Sequence, residues 1–331
     1  MPTAVDTVTR RRWLLLVLAL SVWPRATGAQ PPAQTARIGF LWGGTLPRPL
    51  LRDFEDALRE RGWEVGRNLI IEHRVAEGRN ERLPELAGEL VRANVQVIVT
   101  AQSTSTIAAK KASSTIPIVM LGNGDPVRYG LVTNLARPEA NVTGVSFLVN
   151  EVAIKTVEML KEAIPAVKRL AVFVNPTNPG AAPMLEDIGE VAPRLGISIR
   201  PVEASTIAEL DRALAALQRE RVDAFFLAPE AFIALHRRRI IDAATANRWP
   251  AVSSSAMFLD AGALLSYAPP FSAIYRQAAV YTDKLLRGAR PGDLPVQDPS
   301  KFELVVSQKV AAALGLTIPP SLLVRADRVI Q

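Results

Sequence analysis

From residue 36 onward the chain alternates short continuous apolar runs with longer stretches whose apolar residues recur every three or four positions. The runs at 37–42, 68–74, 95–100, 116–121 and 141–147 predict strands buried on both faces. Between the first two, Leu51, Phe54, Ala57 and Leu58 form a helical stripe that stops at Gly62, and a second helix is predicted over 81–92. The pattern then restarts. It predicts a helix over 151–164, a strand over 170–174, a helix over 179–195 and a strand over 197–202. Thr206-Ile207-Ala208-Glu209 has the spacing of a capping box and opens a helix with Ile207, Leu210, Leu214 and Leu217 on its apolar face. A strand at 223–227, a helix at 231–247, strands at 251–253 and 263–267 and a long helix at 271–287 follow. No short repeat period is present.

Strands alternating with helices imply parallel sheets covered on both faces, and two such series imply two doubly wound α/β lobes. Ligands of such sheets bind beyond the carboxyl ends of the strands. The residues after each predicted strand are therefore the informative ones. Trp42-Gly43-Gly44-Thr45 follows the first strand and Ala101-Gln102-Ser103-Thr104-Ser105-Thr106 the third. The fourth runs into Gly122-Asn123-Gly124-Asp125-Pro126, where Asp125 is placed to cap a helix with Pro126 at its first position. Asn175-Pro176-Thr177-Asn178-Pro179 repeats the device with Asn178 as cap, and Ala228-Pro229-Glu230, Ser253-Ser254-Ser255 and Tyr267 end later strands. Helix N-termini carry unpaired N–H groups and partial positive charge, so several aimed at one crevice suit a carboxylate. Any one junction alone reads as an ordinary cap.

Composition narrows the function. The 331 residues carry a net charge of +7, of which a surplus of three comes from Arg10, Arg11, Arg12 and Arg25 against Asp6. The remainder is too mild and scattered for nucleic acid. The run Arg237-Arg238-Arg239 falls in a helical stretch and reads as a solvated face. Cysteine is absent, which excludes disulfides, thiolate metal sites, cysteine nucleophiles and a lipoprotein anchor. Residues 1–29 combine a basic segment, an apolar run of about 11 residues against the roughly 20 of a membrane span, and small residues before Gln30. This predicts a removed signal peptide and a periplasmic protein. Thr9-Arg10-Arg11-Arg12-Trp13-Leu14 also resembles a twin-arginine signal, so both export routes stay open.

Catalytic motifs are missing. There is no G-x-S-x-G elbow, no phosphate-binding loop ending in Gly-Lys-Ser/Thr, and no G-x-G-x-x-G after the first strand. The two histidines, His73 and His236, are far apart in sequence, and no metal-ligand spacing or cofactor motif is present. Glu186-Asp187 and Glu209 with Asp211 read as solvated carboxylate pairs.

Several stretches in order carry a family resemblance: Gly124-Asp125-Pro126-Val127, Gly130-Leu131-Val132, Leu135-Ala136-Arg137-Pro138, Asn141-Val142-Thr143-Gly144, Asn175-Pro176-Thr177-Asn178-Pro179, Asp293-Leu294-Pro295-Val296, Lys301-Phe302-Glu303-Leu304-Val305 and Ala313-Leu314-Gly315-Leu316-Thr317-Ile318-Pro319-Pro320. Over about 36–330 the chain resembles the ABC-transporter substrate-binding proteins of the tryptophan-binding-like group, which have the type I periplasmic binding fold. It departs where that family often has Gly-Gly and Ser-Tyr-Gly, with Gly262-Ala263 and Ser266-Tyr267-Ala268 here. The resemblance implies two lobes, 36–147 plus 270–292 and 150–266 plus 303–330, joined by three crossover strands near 146–150, 267–272 and 293–302. It implies a monomeric, non-enzymatic binder that closes over a small ligand and delivers it to an ABC permease in the inner membrane, without cofactor or metal. A sensory binding protein feeding a membrane receptor, or an enzyme on the same scaffold, are the alternatives. A DNA-binding regulator of the same fold class lacks room for its headpiece, because the signal segment occupies that place.

The expected ligand is small and carries a carboxylate, held by Ser103 and Thr104; Asp125 is placed to accept from an ammonium, which suits an amino acid. Trp42, Phe147 and Tyr267 pack on an apolar part. Gly43, Asn175, Asn178, Pro229, Glu230 and Ser254 complete the wall.

Overall fold

The computed structural model describes residues 35–331; the predicted signal segment, 1–29, lies outside the described residues. Strands β1 (Ala36–Trp42), β2 (Leu69–Val75), β3 (Val97–Ala101), β4 (Ile118–Asn123) and β5 (Val142–Ser146) form a first sheet in the order β2-β1-β3-β4-β5, every neighbouring pair parallel. Helices α1 (Arg48–Arg59), α2 (Leu83–Arg92) and α3 (Ser103–Ala112) connect them. The stripe on α1 is buried as its spacing predicts, with Phe54 and Leu58 fully enclosed.

The second sheet has seven strands: β6 (Arg169–Val174), β7 (Ser198–Glu203), β8 (Ala224–Leu227), β9 (Ala251–Ser253), β10 (Leu265–Ala268), β11 (Glu303–Ser307) and β12 (Arg328–Ile330). Their order is β12-β11-β10-β9-β8-β6-β7. Helices α4 (Val149–Ala163), α5 (Ala181–Val191), α6 (Ile207–Leu217), α7 (Ala231–Leu235), α8 (Arg237–Ala246), α9 (Phe271–Leu286), α10 (Gln308–Leu314) and α11 (Pro320–Arg325) complete the chain. The capping box at Thr206 and Glu209 forms with both reciprocal hydrogen bonds.

The chain passes between the two sheets three times: from β5 to α4, from β10 to α9, and from the turn Pro291–Asp293 to β11. Helix α9 follows a strand of the second sheet but packs Ile274, Tyr275, Ala278 and Tyr281 into the core of the first, with Phe40, Phe54 and Val97. These crossovers explain the one departure from a purely parallel second sheet. The chain leaves β10 at its carboxyl end and re-enters β11 from the same side, so β10 and β11 run antiparallel. Two of the crossovers are neighbours: Ser146 N donates to Gln297 O at 2.9 Å, and Gln297 N donates to Gly144 O at 3.0 Å. Leu148, in the first, has a left-handed backbone with φ +50, a conformation that costs a residue with a side chain free energy.

Three local expectations need correction. Asp125 does not open a helix: residues 126–130 form a turn, and the Asp125 carboxylate accepts from Val127 N and Arg128 N at 2.9 and 3.0 Å. The single helix expected over 231–247 divides at His236, whose ring meets Phe232 edge-on at 4.6 Å. Asn178 does not sit at the cap position of α5, which Gly180 occupies; its Oδ1 accepts from Gly180 N at 2.9 Å, three residues before the helix starts.

Candidate functional site

The order β2-β1-β3-β4-β5 places a topological switch point between β1 and β3, where the connections leave in opposite directions and open a crevice. The second sheet repeats it: β7-β6-β8-β9-β10 switches between β6 and β8. The residues after these four strands meet. Gln102 and Ser103 from the first sheet, with Tyr129, face Asn175, Pro229 and Glu230 from the second around a cavity of about 40 Å³. A larger cavity of about 590 Å³ shares Gln102, Gly122, Phe147 and Pro229 with it.

The small cavity is polar. Glu230 is 4% exposed and caps α7, accepting from Ile233 N and, at 3.1 Å, Phe232 N; Asn175 Nδ2 donates to it at 3.4 Å. Burial pushes its carboxyl up to about 7 against the opposing pull of these three donors. The Tyr129 hydroxyl is buried without a hydrogen-bond partner, and its phenol is pushed up to about 12 by burial. Ser103 Oγ accepts weakly from Gly124 N at 3.4 Å. Gln102 joins the two cavities with φ +71 and ψ 152, a region that is almost exclusive to glycine. Its Oε1 is buried and unpartnered. Gly43 makes room for it, since a Cβ there would stand 3.0 Å from that oxygen.

The larger cavity is mostly apolar. Trp42 lies between Phe40 and Tyr275, with ring centroids 6.1 and 6.3 Å away, and Phe147 meets Phe271 edge-on at 5.3 Å. Trp42, Leu50, Phe147, Phe271, Ile274 and Tyr275 all line it. The Tyr275 hydroxyl is also buried and unpartnered. Buried polar atoms of native proteins are normally paired, so this concentration of unpaired ones around one crevice marks a place built for a further partner.

The two sides touch around the cavities. Arg128, on the turn after β4, donates to both oxygens of Asp187 at 3.2 and 3.0 Å and to Glu186 at 2.7 Å, both on α5. Asn150 also donates to Asp187, and Asn80 donates to Thr177 at 3.0 Å. The Glu186-Asp187 pair is therefore not simply solvated; it holds an arginine from the opposite side. Ala231 at the start of α7 lies over Gly43 and Gly44, and a Cβ on either glycine would come within 3.6 Å of it.

Of the residues singled out by sequence, Trp42, Ser103, Phe147, Asn175, Asn178, Pro229 and Glu230 line one cavity or both. Gly43 backs them. Thr104 and Ser254 are absent from either lining; Ser254 is fully buried with an unpartnered Oγ, and its neighbour Ser255 reaches the larger cavity instead. Asp125 is exposed and its carboxylate is turned onto its own backbone. Tyr267 stacks on Phe302 at 5.6 Å and lines neither cavity. Tyr129, Phe271, Tyr275 and Arg237 line the cavities but were not anticipated. Gln102 was named only as following a strand, and Arg237, read as part of a solvated face, instead turns a buried Nε into the lining. Among the described residues no group of three His, Cys, Asp or Glu is placed to hold a metal ion, and no helix is long and apolar enough to cross a membrane.

Two doubly wound α/β lobes joined by three crossovers define the type I periplasmic binding fold. Residues 50–330 match the family of ABC transporter substrate binding proteins, and the chain belongs to that family. It is 24% identical over 265 residues to a tyrosine-binding protein of Clostridioides difficile, covering 80% of this chain and 76% of that one. Among solved structures it is similar to a conserved domain protein from Vibrio cholerae, with 30% identity, a TM-score of 0.84, and 89% of this chain and all of that one covered. It is also similar to an ABC domain in complex with L-Trp from Streptococcus pneumonia, with 24% identity, a TM-score of 0.83, and 90% and 100% covered.

Proposed function

We propose that this protein captures a small ligand bearing an ammonium group, an amino acid being the best fit, in the cleft between its lobes, and presents the closed form to an ABC permease outside the cytoplasm. The observation that carries this reading is Glu230, a carboxyl buried at the polar end of a cleft whose other end is apolar. An ammonium placed there supplies the counter-charge that the buried carboxylate lacks. Gln102, Ser103 and Tyr129 offer polar contacts to the rest of the head group, and Trp42, Phe147 and Tyr275 offer a wall to an apolar side chain. Relatives that bind tyrosine or hold L-Trp support the same ligand class. The ligand is bound and released unchanged, by a single chain.

A thermal-shift screen against the common amino acids tests the reading. Ligand at about 100 times its Kd adds roughly 2.7 kcal/mol to stability. One amino acid or a few related ones are expected to raise Tm clearly; a flat response across all of them overturns the amino-acid assignment.

Closure is by rotation about the three crossovers, and the bonds from Arg128 to Asp187 and Glu186 form only when the lobes meet. They are half-exposed and screened by water, so they hold the closed form only weakly. Arg128→Met is therefore expected to raise the ligand dissociation rate about fivefold, measured by stopped-flow fluorescence, with Tm of the ligand-free protein unchanged. An unchanged dissociation rate contradicts a role in closure.

A further inference from the structure

Two arginines line the larger cavity: Arg328 is exposed on the edge strand β12, and Arg237 is half-buried. Arg237, the first residue of α8, lines it beside Ala234 and Leu235. Its Nη1 donates to Ala234 O at 2.7 Å, while its Nε is buried and has no partner. No carboxylate among the described residues reaches it at ion-pair distance. Its neighbours in the basic run differ: Arg238 is exposed, and Arg239 is held by Asp211 at 2.5 and 2.7 Å. Asp260 and Glu303 also line the cavity, but Asp260 is exposed and Glu303 pairs with Lys301 at 2.9 Å.

A guanidinium with a desolvated, unpaired N–H is a poor structural element and a good anion receptor, because its planar donors match a carboxylate. Arg237 also stands seven residues after Glu230. The break at His236 separates them: Glu230 caps α7 and Arg237 opens α8. The small cavity thus offers a buried carboxyl, and the larger, aromatic-walled cavity that shares Gln102, Gly122, Phe147 and Pro229 with it offers a guanidinium with an unpaired Nε.

We propose that Arg237 is a specificity-determining residue that binds an anionic group at the far end of the ligand. The ligand is then an amino acid, or an amine of similar length, whose side chain ends in a carboxylate or another oxyanion beyond an apolar spacer. This rests on the cleft reading above and narrows it, since tyrosine and tryptophan carry no such group.

Calorimetric titration with L-phenylalanine and 4-carboxy-L-phenylalanine tests it on the wild type and on Arg237→Gln. The wild type is expected to bind the carboxylated compound at least about tenfold more tightly, and Arg237→Gln to abolish that preference while leaving L-phenylalanine within about twofold. Arg237→Lys, which keeps the charge but not the fork, is expected to retain part of the preference and guards against a folding defect in the first variant. Equal binding of the two compounds by the wild type, or a preference that survives Arg237→Gln, overturns the proposal. Should neither compound bind, the ammonium reading of Glu230 fails separately. Arg237 is then judged by the thermal shift from benzoate against that from benzamide: a benzoate shift lost in Arg237→Gln sustains it, and no such difference overturns it.

Discussion

Glu230→Gln is expected to weaken binding of an ammonium-bearing ligand by about 100-fold, because losing one partner of a desolvated charged contact costs about 3 kcal/mol. The shape of the side chain is kept, so the lobes still close. Stability is expected to move the other way. The carboxyl of Glu230 titrates near 7 in the folded protein, above the ordinary carboxylate range. Between those two values the folded state holds a proton that the unfolded state has lost. Wild-type stability contributed by this group therefore falls as the pH rises from about 4 to about 7, by about 3 kcal/mol, and is level above. Glu230→Gln removes that slope and, at pH 8, holds or raises stability, since no buried charge remains. Ligand affinity in the wild type follows the ionised form: it falls with pH below 7, up to about tenfold per unit, with a proton released on binding. Calorimetry in buffers of different ionisation enthalpy reads that proton directly. Unchanged affinity in Glu230→Gln places the ammonium elsewhere.

Gly144→Ala is expected to destabilise the fold strongly. Gly144 lies in β5 with φ +132, and a Cβ there would stand 2.3 Å from Met120 O and 2.7 Å from Met120 N. Both atoms belong to the backbone of β4, which cannot turn aside as a flexible side chain can. The two strands must separate, two residues before Ser146 and the first crossover. The expected loss is about 4 kcal/mol, which lowers Tm by on the order of 10 °C, read by circular dichroism. Gly62→Ala is the control: φ is +91, but nothing lies within 4 Å of the added carbon, so only the backbone cost of about 1 kcal/mol remains. Equal Tm for the two variants contradicts the steric argument.

The central strands were legible because they are buried on both faces and read as unbroken apolar runs, as β3 and β8 are throughout. The helix at α1 was legible because Leu51, Phe54, Ala57 and Leu58 fall on one stripe. Helix α3 was not read, because the face it buries is Ser103, Ser105, Thr106, Ala108 and Ala109, small residues that leave no hydrophobic period. The C-terminal β11 and β12 were hidden for another reason: their pairing depends on the chain's return from the first sheet, and no local pattern carries that.

The site was legible to the extent that it follows from topology. Trp42, Ser103, Asn175 and Glu230 were found because they lie at or within three residues of the carboxyl ends of the strands flanking the switch points. Tyr275 and Phe271 reach the cleft from α9, a helix placed there by a crossover, and Tyr129 from an irregular turn. Asp125 and Tyr267 illustrate the opposite case. Asp125 stands after β4 and Tyr267 near the end of β10, but a carboxylate beside two free N–H groups satisfies its own turn, and an aromatic ring beside Phe302 stacks on its neighbour. Position after a strand admits a residue to the cleft rim; local partners decide whether it faces in.

The most direct test of the central claim is a crystal structure of the protein grown with the amino acid that gives the largest thermal shift. The predicted result is one ligand between the lobes, its ammonium on Glu230 and its side chain against Trp42, Phe147 and Tyr275. A ligand bound outside this cleft, or one inside it that leaves Glu230 without a contact, contradicts the account.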